Sequence, residues 1–271
     1  MESVPIDILL EESSFWTINK PAGIQSQAVQ GVPCVQRLLS EQIADRDGHA
    51  GKPFVGLPHR LDRVTSGVML IARNQRSLKQ FNAQFQSRKV QKYYLAILET
   101  ESTAIAETEI WIDQIRKIPD IAKAELVPPN SKTEETGAKQ AELAIAVLAS
   151  SESMRLALIQ LRTGRMHQIR LQSASREMPV LGDQLYGAKE SFGEEEPTHR
   201  EAPIALHSLR LEFRHPKTGV PVASTAPVPP RWADLPTDLI ERVNAITQQS
   251  MTEVSSTWDS MFPAADRRED Q

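Results

Sequence analysis

Short runs of β-forming residues recur along this chain of 271 residues, and they outnumber its helix-forming segments. Runs of this kind, bounded by turn-forming residues, are typical of strands. They predict strands at 15–19, 67–72, 92–98, 108–115, 141–148, 154–161, 209–213 and 220–224. Because their spacing is not a regular strand–helix alternation, we expect an α+β fold with a mixed, mostly antiparallel central sheet and flanking helices.

Apolar residues at helical spacing predict a smaller number of helices. Helices are expected at 35–44, from the capping residue Asn74 to Ser87, from 164 to 173 and from 232 to about 246. Loops are expected at 117–139, at the acidic segment 188–202 and at the frayed end 255–271. The expected organisation is a short lead over 1–14, a catalytic domain over 15–231, and a C-terminal helix and disordered tail over 232–271.

Composition limits the class of protein. Hydrophobic residues make up 40% and charged residues 24% of the chain, as in globular proteins. The single cysteine, Cys34, excludes an internal disulfide framework. The N-terminus lacks the pattern of a signal peptide, and no apolar run approaches the roughly 20 residues of a membrane span. We therefore expect a cytoplasmic protein that does not associate with membranes.

Positive charge is concentrated although the net charge is −4. One cluster comprises Arg60, Arg63, Arg73, Arg76, Lys79, Arg88, Lys89 and Lys92, with Asp62 as the one acid among them. A second comprises Arg155, Arg162, Arg165, Arg170 and Arg176. Taken singly, most of these are ordinary solvated side chains. Together they predict a local basic face that can bind a phosphate backbone.

The segment His59-Arg60-Leu61-Asp62-Arg63-Val64-Thr65-Ser66-Gly67 holds a carboxylate between two arginines. Opposite charge nearby keeps a carboxylate ionised, so Asp62 can be a nucleophile, a base or a metal ligand. The residues from Thr65 to Gly67 can turn the chain into the buried strand that follows, which gives Asp62 a rigid mount. From spacing alone, a surface Arg–Asp–Arg salt bridge in a turn is the favoured interpretation.

Two further segments carry candidate residues. Gly164 and its neighbouring arginines precede a predicted helix, on which His167 and Arg170 share a face. Such a site can hold a phosphate, or an arginine can pair with Asp62; exposed basic residues on a capped helix are the simpler alternative.

The second segment is the strand that carries Tyr93 and Tyr94. Alternate strand residues face opposite ways, so only one of these tyrosines can face a site. It could stack on a base or transfer a proton, or simply pack in the core.

Several other classes of site lack support in the sequence. The six histidines form no metal-ligand pattern with each other or with Cys34. The sequence contains no glycine-rich phosphate loop and no serine-hydrolase elbow. A glycosidase would need two carboxylates, and Asp183 is the only other one in a motif-like segment.

Six segments in the same order resemble the motifs of the RluA family of RNA pseudouridine synthases. They are 19–23, 59–67, 92–96, 163–170, 181–187, and 205–209 with His215-Pro216. The resemblance implies the pseudouridine synthase fold, conversion of a uridine in ribosomal or transfer RNA to pseudouridine, no cofactor and no metal. We expect the protein to act on an RNA stem-loop as a monomer.

The resemblance also implies roles for individual residues. Asp62 corresponds to the nucleophile, Tyr94 to the residue that stacks on the uracil and assists the proton step, and Arg170 to the ion-pair partner. Arg60 corresponds to the arginine that helps to flip the base. The other residues expected to bind substrate are Arg63, Thr65, Arg165 and His167. The main alternative is an RNA-binding protein of the same fold without catalytic activity, for which the combination of Asp62, Arg60 and Tyr94 has no use.

Two features depart from the family pattern. Only about 14 residues precede the first predicted strand, so the S4-type RNA-binding domain of several family members is expected to be absent. Gln172 stands where we expect a histidine. That position lies outside the expected chemistry, so the change is expected to alter a local contact rather than the activity.

Overall fold

The computed structural model describes residues 5–27, 32–48, 51–100, 107–128, 136–193 and 202–247. Ten strands of these residues form one sheet. The strands are β1 (Asp7–Glu11), β2 (Phe15–Lys20), β3 (Ser66–Ala72), β4 (Gln91–Glu99), β5 (Thr108–Lys117), β6 (Ala124–Val127), β7 (Lys139–Ser151), β8 (Met154–Leu161), β9 (Leu206–Arg214) and β10 (Pro221–Thr225). The described helices are α1 (Val35–Asp47), α2 (Gln75–Gln86), α3 (Gln168–Ala174) and α4 (Thr237–Thr247). None of these helices has the length and apolar character needed to cross a membrane.

The sheet confirms the predicted fold class. Its strands follow the order β1-β2-β3-β9-β4-β8-β7-β5-β6, and β10 pairs with β9. Neighbouring strands are antiparallel except β3 and β9, which pair in parallel at Ser66 with His207 and at Gly67 with Ser208. The late strand β9 therefore joins the N-terminal strands to the rest of the sheet.

The junction between β3 and β9 contains a buried polar residue, His207, and both of its ring nitrogens have hydrogen-bond partners. Nδ1 of this buried imidazole lies 2.9 Å from Ser66 Oγ, and Nε2 lies 3.2 Å from the carbonyl oxygen of Ala226. Burial lowers the pKa of His207 to about 4, so the imidazole is neutral at pH 7. The neutral ring accepts from Ser66 Oγ and donates to the carbonyl oxygen of Ala226. These bonds hold the first residue of β3, the strand that follows the Asp62 loop.

Helices cover both faces of the sheet and close its hydrophobic cores. Helix α1 packs over the core that contains Trp16 and Met69, and α4 packs with Trp232 over a second core. Helix α2 covers a third core, in which Phe15, Phe81 and Phe213 meet edge to face. As predicted, α2 is capped by Asn74, whose Oδ1 accepts from the amide of Ser77 at 2.9 Å.

The eight strands predicted from the sequence are present, with ends shifted by a few residues. Two strands were not predicted. Strand β1 lies in the lead and runs along the sheet edge without a clear alternation, and β6 is a strand of four residues inside the expected loop 117–139. In the acidic segment 188–202, Phe192 is buried and packs edge to face against Trp232. Residues 194–201 and the end 255–271 lie outside the described residues.

Candidate active site

A cleft of about 1060 Å³ runs across the sheet beside the carboxylate of Asp62. A smaller pocket of about 90 Å³ shares Asp62, Tyr94 and other lining residues with this cleft. The cleft is lined by five of the eight predicted site residues: Arg60, Asp62, Tyr94, Arg165 and His167. Thr65 and Arg170 line the small pocket. Arg63 is not among the residues that line either space.

The Asp62 side chain meets residues from a distant part of the chain. It is 31% exposed, and its Oδ2 lies 3.4 Å from Arg170 Nη1 and 3.9 Å from His167 Nε2. The loop that presents it is held by the amide of Thr65, which donates to the Asp62 carbonyl oxygen at 3.1 Å. The Asp62 carboxylate therefore faces two basic side chains and stays open to a ligand on one side.

The surface Arg–Asp–Arg salt bridge favoured by spacing alone is wrong. Arg60 is exposed and donates from Nη1 to Gln27 Oε1 at 3.2 Å. Arg63 donates from Nε to the carbonyl oxygen of Gly23 at 2.8 Å and so fastens the neighbouring turn. Adjacent side chains leave this loop in different directions, and the ion-pair partner of Asp62 comes from α3 instead.

Arg170 is almost fully buried between two carboxylates. Its Nε and Nη2 donate to the two carboxylate oxygens of Asp183 at 2.6 and 2.8 Å, a bidentate geometry. Burial alone would lower the pKa of Arg170, but the hydrogen bonds and charge of Asp183, together with Asp62, raise it above its ordinary value. Asp183 therefore orients the guanidinium that faces Asp62. Its motif-like segment was noted in the sequence, but this role was not predicted.

Tyr94 and Tyr93 lie on opposite sides of β4, as the sequence predicts. Tyr94 packs in the first core and lines both the cleft and the pocket, whereas Tyr93 packs in the second core. Burial raises the pKa of Tyr94 above its ordinary value; a hydrogen bond with Ser208 opposes this shift, and the charge of Asp62 adds to it. The phenol is therefore protonated at pH 7, and it lines the same pocket as the Asp62 carboxylate.

Comparison with known proteins identifies the family. The model of the RNA pseudouridylate synthase family matches residues 14–175. The ribosomal large subunit pseudouridine synthase D of Xylella fastidiosa is 30% identical over 264 residues, which cover 95% of this chain and 74% of that protein. The chain belongs to the RNA pseudouridylate synthase family. It is an isomerase of the RluA type and its substrate is RNA.

Other relatives agree with this assignment. The ribosomal large subunit pseudouridine synthase C of Buchnera aphidicola from Acyrthosiphon pisum is 30% identical over 228 residues, with 82% of this chain and 67% of that protein covered. The human RNA pseudouridylate synthase domain containing 4 has the same fold, with a TM-score of 0.67 at 23% identity over 88% of this chain and 93% of the human chain. The human domain containing 1 superposes with a TM-score of 0.61 at 20% identity, over 92% and 98% of the two chains.

The cleft of the synthase is cationic. Its charged lining residues are Arg60, Asp62, Lys92, Lys117 and Arg165, of which only Asp62 is acidic. Burial and the neighbouring Arg165 and Arg88 lower the pKa of Lys92 to about 8, and its Nζ donates to the Thr163 carbonyl oxygen at 3.1 Å. Lys117 was not predicted as a site residue because it enters the cleft from the end of β5, far from the motifs in sequence.

The second predicted basic cluster is largely neutralised by acids. Arg162 pairs with Glu142 at 2.6 Å, Arg176 with Asp113 at 3.0 Å and Arg170 with Asp183. Within this cluster, Arg165 is the member that lines the cleft and has no ion pair in the described part of the chain. The basic face is thus narrower than the sequence predicts.

The segment 164–167 of the synthase is a turn, and α3 begins only at Gln168. The predicted start at Gly164 is therefore wrong. His167 adopts φ 51°, and the buried Gln168 folds the turn by accepting from Thr163 Oγ1 at 2.7 Å and from the Arg165 amide at 3.1 Å. This turn, rather than a shared helix face, brings His167 and Arg170 to the same carboxylate.

Gln172 extends this network away from the cleft. Its Nε2 donates to Asp113 Oδ2 at 2.6 Å, and its Oε1 accepts from Gln168 Nε2 at 3.0 Å. Gln172, which stands where a histidine was expected, therefore supports the turn that carries His167 through its bond with Gln168. It is fully buried and does not line the cleft or the pocket.

His59, the first residue of the Asp62 motif, is also a structural residue. Its Nε2 accepts from the amide of Leu70 at 2.9 Å, and its ring stacks on Phe85 at a centroid distance of 4.8 Å. Burial lowers the pKa of His59 to about 3, and the charge of Lys92 adds to this effect. The neutral imidazole fastens the start of the motif to β3.

Lys20 anchors the Asp62 loop from inside the protein. Its fully buried Nζ donates to the carbonyl oxygens of Pro21 at 2.8 Å, Arg63 at 3.2 Å and Thr65 at 2.8 Å. Burial lowers the pKa of Lys20 to about 7; the charge of Asp62 opposes this shift and that of Arg63 adds to it. The protonated form of Lys20 is therefore less favourable in the folded state than in the unfolded chain.

The lowered pKa of Lys20 predicts how stability depends on pH. Between about pH 7 and pH 10.5 the unfolded chain binds more protons at this residue than the folded protein, so stability rises with pH. We expect the free energy of unfolding of the wild type, minus that of Lys20→Met, to increase from pH 7 to pH 10 in urea titrations. A difference that stays constant or falls would contradict the assignment.

The part of the chain that the structure describes contains no group of three or more His, Cys, Asp or Glu residues arranged to hold a metal ion.

Proposed function

We propose that this synthase isomerises a specific uridine of structured RNA by flipping the target nucleotide out of its stack and using Asp62 as the nucleophile. The supporting observation is the position of Asp62, half open to a small pocket between the charged Arg170 and the protonated Tyr94, beside a cationic cleft. We further propose that residues 15–231 form the catalytic domain, on which β1 and α4 pack from outside these bounds, and that the protein acts as a cytoplasmic monomer.

In the proposed mechanism each residue of the pocket has a separate role. Arg170 faces Asp62 and holds its carboxylate in place, so that the carboxylate can form a transient covalent bond with the substrate. The N1–C1′ bond breaks, the uracil rotates beside Tyr94 and C5 bonds to C1′. The bond between Asp62 and the substrate breaks as well, which frees the carboxylate. C5 loses its proton and N1 gains one, so no external group donor or electron source is needed.

Base flipping explains the two spaces beside Asp62. The small pocket, of about 90 Å³, is the place proposed for the flipped base, because Asp62, Tyr94 and Arg170 line it, while the larger cleft has room for the backbone on either side. Unstacking a base costs roughly a few kcal/mol. Arg60 is exposed at the cleft and held only by Gln27 within the described residues, so it can move into the gap that the base leaves.

Ribosomal RNA is the first candidate substrate, because the relatives from Xylella and Buchnera are named for the large ribosomal subunit. The test is to map pseudouridines in ribosomal and transfer RNA from cells with and without this protein. The purified chain is then incubated with the unmodified transcript of any RNA that changes. We expect one or a few uridines of large-subunit RNA to depend on the protein. If only pseudouridines of transfer RNA depended on the protein, the substrate would be transfer RNA instead.

The cationic cleft predicts that RNA affinity falls steeply with salt. Each phosphate contact releases counterions and steepens the dependence of log K on log salt by about one. Lys117→Ala removes a cationic lining residue, so we expect weaker binding and a salt slope smaller by about one in filter-binding titrations. Lys217→Ala removes an exposed lysine in the turn between β9 and β10 and is expected to leave the slope unchanged. Equal slopes for Lys117→Ala and the wild type would argue against RNA in this cleft.

A glycosidase mechanism is disfavoured by the second carboxylate. Asp183 is 1% exposed, and both of its oxygens accept from Arg170. It therefore has no access to substrate as an acid or a base.

A further inference from the structure

The hydroxyl of Tyr186 lies between strand β6 and the candidate active site. The amide of Ala124 donates to this oxygen at 3.0 Å, and His167 Nδ1 lies 3.0 Å from it on the other side. The hydroxyl can also donate its proton to the carbonyl oxygen of Ala124, at the longer distance of 3.3 Å. The ring of Tyr186 stands perpendicular to that of His167 and lies under the guanidinium of Arg170, 5.1 Å from it.

These contacts favour one tautomer of His167. The ring is largely buried, and burial lowers its pKa; Asp62 and Asp183 oppose this shift, and Arg170 adds to it. A neutral imidazole carries one proton, on Nδ1 or on Nε2. With the proton on Nδ1, the lone pair of Nε2 would face the carboxylate of Asp62 at 3.9 Å. With the proton on Nε2, Nδ1 accepts from Tyr186 and the N–H points towards the carboxylate.

We infer that Tyr186 is a positioning residue, whose hydroxyl holds His167 as the Nε2–H tautomer so that His167 and Arg170 both face Oδ2 of Asp62. This inference rests on the proposed role of Asp62 as the nucleophile. Arg170 Nη1 donates to Oδ2 at 3.4 Å, and His167 Nε2 lies 3.9 Å from the same oxygen, beyond hydrogen-bond distance. Oδ1 has no hydrogen-bond partner among the described residues and is the oxygen that attacks the substrate.

The arrangement makes β6 part of the support for the site. The amide of Ala124 donates to the Tyr186 oxygen, and of the two acceptors for the hydroxyl proton the nearer is His167 Nδ1, at 3.0 Å, against 3.3 Å for the Ala124 carbonyl oxygen. Tyr186 follows Asp183 by one short turn, Gln184–Tyr186, so the same segment orients both Arg170 and His167.

NMR of the full chain labelled with ¹⁵N-histidine tests the tautomer without any assay of activity. The signals of His167 are assigned by their loss in His167→Asn. We expect protonated Nε2 and unprotonated Nδ1 at pH 7 in the wild type, and a mixture of tautomers in Tyr186→Phe. Protonated Nδ1 in the wild type would overturn the inference and leave the proposed role of Asp62 untouched.

Kinetics test whether the Nε2–H group of His167, which points towards Asp62, contributes to catalysis. His167→Gln can keep an amide N–H near the position of Nε2, whereas His167→Asn is too short to do so. We expect kcat to fall about tenfold in Tyr186→Phe and His167→Asn, with KM little changed, and to recover in His167→Gln. Because glutamine needs no tautomer, adding Tyr186→Phe to His167→Gln should cost little more.

Tyr93→Phe is the matched control, because it removes a phenolic hydroxyl on the opposite side of β4. It is expected to keep the wild-type kcat. Circular dichroism and thermal melting identify any variant that fails to fold, in which case the NMR result on the wild type decides alone. Equal losses of kcat in His167→Gln and His167→Asn, both folded, would overturn the inference.

Discussion

Asp62→Asn is expected to abolish pseudouridine formation, with a loss of at least about 10⁴-fold in the single-turnover rate. Asparagine has nearly the same volume but is neutral and is a poor nucleophile. The fold should survive, because Arg170 retains its bidentate bond with Asp183 and loses only the contact at 3.4 Å. The measurement is the release of tritium from RNA labelled at C5 of uridine, with RNA affinity followed in parallel.

A carboxylate outside the cleft provides the control. Asp45→Asn makes the same chemical change on the exposed face of α1 and is expected to leave the rate unchanged. Because Asp62 is the one acid that lines the cleft, its replacement should preserve RNA affinity or increase it slightly. Activity within a factor of ten of the wild type in Asp62→Asn would rule out a nucleophilic role.

Gly67→Ala is expected to destabilise the protein by roughly 3 kcal/mol or more, a large fraction of the about 5–15 kcal/mol by which native proteins are stable. Gly67 has φ 113°, and an added Cβ would lie 2.6 Å from the backbone nitrogen of Ser208 and overlap its carbonyl oxygen. The obstacle is the backbone of β9 in the parallel junction, which cannot rotate away as a side chain could. The measurement is urea unfolding followed by circular dichroism.

The loss of stability in Gly67→Ala has two causes, the left-handed backbone and the overlap of the added Cβ with β9, and Gly219→Ala separates them. Gly219 also has a positive φ, 72°, but an added Cβ would meet nothing within 4 Å. We expect Gly219→Ala to lower the free energy of unfolding by only about 1–2 kcal/mol, because only the left-handed backbone is unfavourable there. If Gly67→Ala cost no more than Gly219→Ala, the close approach of β3 and β9 would not matter to stability.

Much of the fold follows from local sequence patterns. Apolar runs such as 67–72 and the capped helix after Asn74 carry their own periodicity, so they could be predicted without knowledge of their partners. The short strand β6 could not, because four residues carry too little pattern. The start of α3 was missed because hydrogen bonds of the Gln168 side chain, which depend on the tertiary fold, hold the preceding residues in a turn.

The candidate site was predictable to a similar degree. The motif resemblance brought Asp62, Tyr94 and Arg170 together, and the structure gathers them around one pocket. Residues that enter from elsewhere, such as Lys117 on β5, gave no local signal. The flanking charges of Asp62 were misleading, because neighbours in sequence need not be neighbours in space. Its ion-pair partner lies 108 positions away.

The position of β9 has a consequence for a chain that is still being synthesised. Strands β1 to β3 and strands β4 to β8 are joined through β9, which spans only Leu206–Arg214. Until those residues have left the ribosomal tunnel, no strand pairing of the described sheet joins β3, which follows Asp62, to β8, which precedes Arg170. Folding domains form as their last pairing segments emerge. A nascent chain is therefore expected to be unable to modify RNA, including the ribosome that makes it, until translation has passed β9.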